Sequence, residues 1–188
     1  MNANTGFIVS GEGEPVVCLL GDPAAALMDA LTDDFTVLAM PPGEMTADAL
    51  MAAVKARGLD TFSLMVHGAE AALALQLAAA FPDAVQALVL LSPQALDPGG
   101  AARDAALGGQ LANVRAQVLA LFGTRDKAAP PTMGGHYKRA LANCHLMYVY
   151  DAEDTASERL EAVSEVVLDF LKRRDAFLVN NKDGRLYA

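Results

Sequence analysis

The feature that most constrains this chain is its alternation of short, unbroken apolar runs with longer segments of helical spacing. Seven runs have strand character: Gly6–Ser10 (GFIVS), Pro15–Leu20 (PVVCLL), Phe35–Met40 (FTVLAM), Phe62–Val66 (FSLMV), Gln86–Leu91 (QALVLL), Gln117–Phe122 (QVLALF) and His145–Tyr150 (HLMYVY). From the second onward their apolar residues run on in both phases, not at every other residue. A strand wetted on one face alternates and a strand covered on both faces does not, so the runs predict a mainly parallel sheet. The intervening segments ADALMAAVKARG, EAALALQLAAAF and ASERLEAVSEVVLDFLKRR carry apolar residues at helical spacing. The last predicts a helix of about five turns, with Leu160, Val163, Val167, Phe170 and Leu171 as its buried stripe. Gly58 and Pro82 stop the other two. The expected architecture is α/β: a three-layer α/β/α sandwich with right-handed crossovers.

With 188 residues, 53% of them hydrophobic and 20% charged, the chain suits one domain over 1–188 with a sizeable core. The net charge of −9, with no Lys/Arg cluster to offset it, argues against nucleic acid and against an anionic membrane surface. No apolar run is long enough to span a bilayer. The start MNANTGFIVS lacks a basic region followed by an apolar stretch, so the expectation is a cytoplasmic protein. Cys18 and Cys144, each in or beside an apolar run, are expected to be free buried thiols. There is no repeat. Residues 97–110 (DPGGAARDAALGGQ) are expected to be weakly structured with a short helix, and the tail 175–188 to hold a turn at KDG.

The segment LMVHGAEAALALQLAAAF reads as strand, sharp turn and helix, and its turn VHGAE holds no serine, cysteine or aspartate. Taken in order, GEGEPVVCLLGDP, FTVLAMPPGEM, this strand-turn-helix with the strand that follows it, VLALFGTRD, and HLMYVYDAEDTASERLEAVSEVVLDFL resemble the α/β-hydrolase superfamily. The resemblance runs from about Gly11 to about Arg174 and implies that family's fold with a cap absent or minimal. Only SPQALDPGGAARDAALGGQLANVRA separates two strands where a cap would be inserted, which implies a shallow, open site.

The resemblance also implies where a catalytic triad would lie. The family's Gly-x-Ser-x-Gly elbow falls on Val66, Gly68 and Glu70, so the nucleophile position is Gly68, which has no side chain to attack with. The acid position is Asp126, in GTRD. The histidine position is Asp154, preceded by Glu153. The oxyanion positions are Asp22, whose carboxylate would oppose a developing oxyanion, and Ala69. In the family a histidine often precedes the serine and faces away from substrate. That gives His67 a supporting role beside Glu70 and Ser92, and leaves His136 and His145 as surface and strand-end residues. The expectation for Ser92 is a strand-end hydroxyl bonded to nearby backbone. Gly68 is expected to keep the strained elbow backbone without a reacting atom.

Asp126 and Asp154 would then face each other, and two close carboxylates do not both ionise cheaply. A shared proton, a bound cation, or loops moved apart would each resolve this, and Arg125 is a further neutralising group. An oxygen-ligand metal site from Asp22, Asp126 and Asp154 is the weaker reading beside solvated acids on an open surface. No cofactor is implied. Three functions stay open: a non-catalytic interaction or structural subunit of a homo- or hetero-oligomer, docking on an apolar catalytic edge; an atypical hydrolase or lyase of small acyl or ester substrates using carboxylates or a metal; and a small-molecule binder.

Overall fold

The structure is a computed structural model and describes residues 6–179. Seven strands, β1 (Ile8–Ser10), β2 (Glu14–Leu19), β3 (Phe35–Met40), β4 (Phe62–His67), β5 (Val85–Leu91), β6 (Gln117–Gly123) and β7 (Cys144–Val149), form one sheet in the order β1-β3-β2-β4-β5-β6-β7. β1 runs antiparallel to β3 at one edge. All other neighbours are parallel. The helices are α1 (Ala25–Asp29), α2 (Ala47–Lys55), α3 (Ala71–Ala80), α4 (Ala105–Gly108), α5 (Gly134–Ala140), α6 (Leu160–Arg173) and α7 (Asp175–Val179).

The unbroken apolar runs have a direct cause. In β2, Val17 and Leu19 join a core shared with α2, α3 and α5, while Val16 and Cys18 join a second core shared with α1 and α6. Successive strand residues point to opposite faces, and both faces are covered, so neither phase is polar. Burying each such side chain stabilises by about 1.5–3 kcal/mol. Cys18 and Cys144 are free and buried. Burial pushes the Cys18 thiol up beyond its ordinary range, and that of Cys144 to about 12, which removes both as thiolate nucleophiles near neutrality.

Helix α2 begins where Thr46 Oγ1 accepts the Ala49 N–H at 3.2 Å, a side-chain cap on an otherwise unmatched donor. Helix α6 buries Val163, Val167, Phe170 and Leu171, but it starts later than its apolar spacing predicts. Arg159 sits at φ 55°, and residues before it fold into a turn in which Ala156 N–H and Ser157 Oγ–H donate to the Asp154 carboxylate, each at 2.8 Å. Local side-chain acceptors of this kind compete with helix.

The β5–β6 linker holds α4 and a single 3-10 turn (Leu111–Asn113), so little cap is built there. The segment expected to be weakly structured is tied at several points. Leu96 bridges Ala102, Asp104 caps α4 through the Ala106 N–H at 2.8 Å, and Leu107 is buried. Tyr137 of α5 accepts the N–H groups of Ala95 and Leu96 at 2.9 and 3.2 Å. Burial pushes its phenol up to about 12. Of the expected tail, α7 is present and the KDG turn lies outside the described residues.

Candidate functional site

Because β2 and β4–β7 are parallel, the loops at their C-terminal ends meet along one edge, where α/β sheets place their sites. His67 ends β4 and Ser92 follows β5. Asp126 lies beyond β6 and Asp154 beyond β7.

Gly68 has φ 61°, in the left-handed region, and it opens a 3-10 turn (Gly68–Glu70) that runs into α3. This is the elbow-like backbone expected there, and glycine adopts it without the cost borne by other residues. A Cβ built on Gly68 would find Gln94 Nε2 at 3.7 Å, an ordinary contact. Space for a side chain is therefore present, and Gly68 brings no side-chain atom into it. His67 caps the turn by position but places no side-chain acceptor on its N–H groups.

The main departure from the sequence reading is at His67. It was expected to pack in a supporting role facing away; instead its Nε2 lies 3.0 Å from Asp154 Oδ1, and both side chains are about one-third exposed (36% and 33%). Asp154, beyond β7, thus lies against the histidine that ends β4. Neither motif position shows this, since the pairing swaps their chemistry. The available signal is that Asp154, set where a histidine would be, needs a donor.

Asp126 and Asp154 each take their donors from elsewhere in the loops that carry them. Asp126 Oδ1 accepts the N–H groups of Ala128 and Ala129, both at 2.8 Å, inside its own loop, and Asp154 is served by His67, Ala156 and Ser157. Arg125 neutralises neither. Its guanidinium pairs with Asp151 at 2.9 Å and Glu153 at 2.8 Å, and Arg159 adds a second cation on Asp151 at 2.7 Å. The hydrogen bond from Arg125 holds the Asp151 carboxyl below the usual range, and the same pairings raise Arg125.

Asp22 is exposed at the start of a 3-10 turn (Asp22–Ala24). Among the described residues no group of three or more His, Cys, Asp or Glu side chains is arranged to hold a metal ion, so the cluster of Asp22, Asp126 and Asp154 is not assembled. Ala69 is exposed and Glu70 half-buried in the elbow turn.

Ser92 also differs from expectation. It is buried, has φ 44°, and its hydroxyl meets a residue far along the chain. Ser92 Oγ lies 3.1 Å from Thr155 Oγ1 and accepts the Thr155 N–H at 3.3 Å. A non-glycine residue in that backbone region carries about 1–2 kcal/mol of strain, which the buried hydroxyl pair offsets. The pair also pins the residue next to Asp154.

The large exposed apolar side chains lie on the two outer strands or at their ends. Among the described residues these are Ile8 and Val9 on β1, and Tyr148 and Tyr150 on or just beyond β7, the two outer strands. A shallow depression lies at the opposite end of the sheet, between Asp83, Gln86, Arg115, Gln117 and Arg174. Among the described residues no helix is long and apolar enough to cross a membrane.

No protein-family model matches this chain. No curated protein matches it at a significant level. Solved structures do. MGS-MChE2, an α/β hydrolase from the metagenome of lagoon sediments of Mar Chica, Morocco, superposes with a TM-score of 0.73 at 20% identity, over 90% of this chain and 95% of that one. A serine hydrolase involved in carbazole degradation (CarC) gives 0.71 at 16% identity, over 88% and 93%. A thermophilic esterase from Thermogutta terrifontis gives 0.70 at 16% identity, over 88% and 92%. At these identities the likeness speaks for architecture and not for chemistry: the chain has the α/β-hydrolase fold, and the turn between β4 and α3, where the resemblance puts the nucleophile, carries a glycine.

Proposed function

We propose that this chain uses the α/β-hydrolase fold without acyl-enzyme chemistry and serves as an interaction subunit of a homo- or hetero-oligomer. The observation that carries the reading is Gly68: an elbow backbone at φ 61° with room for a side chain and none present. Covalent acyl transfer needs an attacking oxygen or sulfur there, and loss of the nucleophile alone lowers such rates by several orders of magnitude. The carboxylate at the histidine position engages His67 and its own loop, so it supplies no base to the elbow. Ile8 and Val9, exposed on an end strand three residues long, give a partner an unpaired edge to meet.

Two measurements test this. A fluorophosphonate probe should leave the protein unlabelled under conditions that label an active serine esterase completely; stoichiometric labelling would overturn the loss of acyl-enzyme chemistry. Purification from the native host at low salt, with mass spectrometry of co-eluting chains, should yield a homo-oligomer or a defined partner. A strictly monomeric, unaccompanied chain would overturn the interaction role.

A further inference from the structure

The depression at the starts of β5 and β6 lies at the end of the sheet away from His67 and Ser92, and its lining is polar and charged. Gln117 opens β6, Asp175 opens α7, and Arg174 joins α6 to α7. Gln117 Nε2 donates to Asp175 Oδ1 at 2.7 Å, and an Arg174 Nη2–H donates to Glu14. That leaves two buried atoms of opposite hydrogen-bonding sense, Gln117 Oε1 and Arg174 Nε, without a partner among the described residues. Buried polar atoms are normally paired. Arg174 also sits at φ 44°, ψ −104°, a backbone conformation that persists only where its surroundings impose it. Glycine would take that turn freely; arginine takes it at a cost and brings a guanidinium to the depression. On the rim, Arg115 meets Asp83 at 3.7 Å with both side chains largely exposed. That is longer than a hydrogen bond, so the Arg115 donors are open to a ligand.

We propose that this depression is a binding site for a small zwitterion of the α-amino acid class. Two guanidiniums, Arg115 and Arg174, and two carboxylates, Asp83 and Asp175, line it. A bare anion is drawn by the first pair and repelled by the second, and a bare cation the reverse. A molecule with a carboxylate and an ammonium on one carbon satisfies both. Its carboxylate accepts from Arg174 Nε–H and Arg115, and its ammonium donates to Gln117 Oε1 beside the acidic groups. The volume agrees. Sites for drug-sized ligands run to roughly 300–1,000 Å³, and this one, at about 270 Å³, suits something smaller. The site is independent of the interaction role and of the elbow.

The test is a titration of the full chain at pH 7 and low salt, following the arginine Nε–H and glutamine side-chain resonances by proton–nitrogen NMR. The probes are L-alanine, L-lactate and propionate, which share a carboxylate and a size and differ in what the α-carbon carries. L-Alanine should shift the Arg174 Nε–H and Gln117 resonances saturably, with a Kd on the order of 1 mM. L-Lactate, which donates without the positive charge, should bind more weakly, and propionate at least about tenfold more weakly than L-alanine. Arg115→Gln changes an exposed side chain and should weaken L-alanine at least about tenfold. Arg174→Gly relaxes the backbone, so it should fold and lose the binding. Propionate binding as tightly as L-alanine overturns the zwitterion assignment. Binding that survives both variants unchanged, or no saturable shift with any probe, overturns the site.

Discussion

His67 Nε2 lies 3.0 Å from Asp154 Oδ1, so the last residue of β4 is tied to the loop that precedes α6. With each side chain about one-third exposed, the pair resembles a surface ion pair in energy, about 0.2–1 kcal/mol. A double-mutant cycle on His67→Ala and Asp154→Ala, read by urea denaturation, should return a coupling of that size. Asp154→Ala alone should cost more than the coupling, about 1–2 kcal/mol, because it also frees the donors of Ala156 and Ser157.

The Ser92–Thr155 hydroxyl pair is buried, and removing one member strands the other. Ser92→Ala is expected to destabilise by about 1–3 kcal/mol. Ser92→Gly loses the same hydroxyl but relaxes the backbone at φ 44°, recovering about 1 kcal/mol. Chemical denaturation should therefore rank the glycine variant above the alanine variant; the reverse order would mean the backbone there is unstrained.

Two glycines should differ in how much a side chain costs. At Gly68 the nearest atom to a new Cβ is 3.7 Å away, so Gly68→Ser should fold and lose only about 1–2 kcal/mol for its left-handed φ. At Gly123 the new Cβ would fall 2.3 Å from the Ala152 carbonyl oxygen. That oxygen accepts the Arg125 N–H and is backbone, so it cannot swing aside. Gly123→Ala should cost more than Gly68→Ser, at least about 3 kcal/mol, and displace the β7–α6 loop. Melting curves of the two variants check the ranking.

Acid should weaken the fold through His145. Burial, and then the nearby Lys138 charge, hold this imidazole below its ordinary value. The unfolded chain then binds the proton more readily than the folded one. The stability this contributes is fully present above the ordinary histidine value, about 6.5, and is lost as pH falls below it. Tm measured from pH 7.5 down to pH 5 should drop, and the drop should be shallower in His145→Asn, which keeps a polar group without the titration.

The sheet was legible because burial on both faces writes itself into composition. Each of the seven predicted strands has an observed counterpart whose ends lie within two residues of it, since a polar residue in either phase would face a core. The elbow turn was legible too, because a glycine between strand and helix marks a backbone that other residues resist. The start of α6 was not: Ser157 and Glu158 suit a helix locally, and only the turn around Asp154 takes them out of it. Nor was the His67–Asp154 contact, which joins residues from different loops and reverses the chemistry expected at both. Left-handed backbone at Ser92 and Arg159 had no glycine to announce it.

The bridge between Leu96 and Ala102 has a consequence for how this architecture changes over evolutionary time. It clamps the two ends of the Asp97–Ala101 loop together, reinforced by the Asp97 N–H to Ala101 carbonyl bond of 2.7 Å, while Tyr137 anchors its leading side from below. A loop whose ends are already closed accepts extra length at low entropic cost, about 0.6 kcal/mol for each doubling. The same clamp lets an inserted segment fold on its own above the sheet without pulling on β5 or β6. The loop is thus a hinge post for a roof the chain does not carry, and acquiring one would leave the seven strands beneath it unaltered.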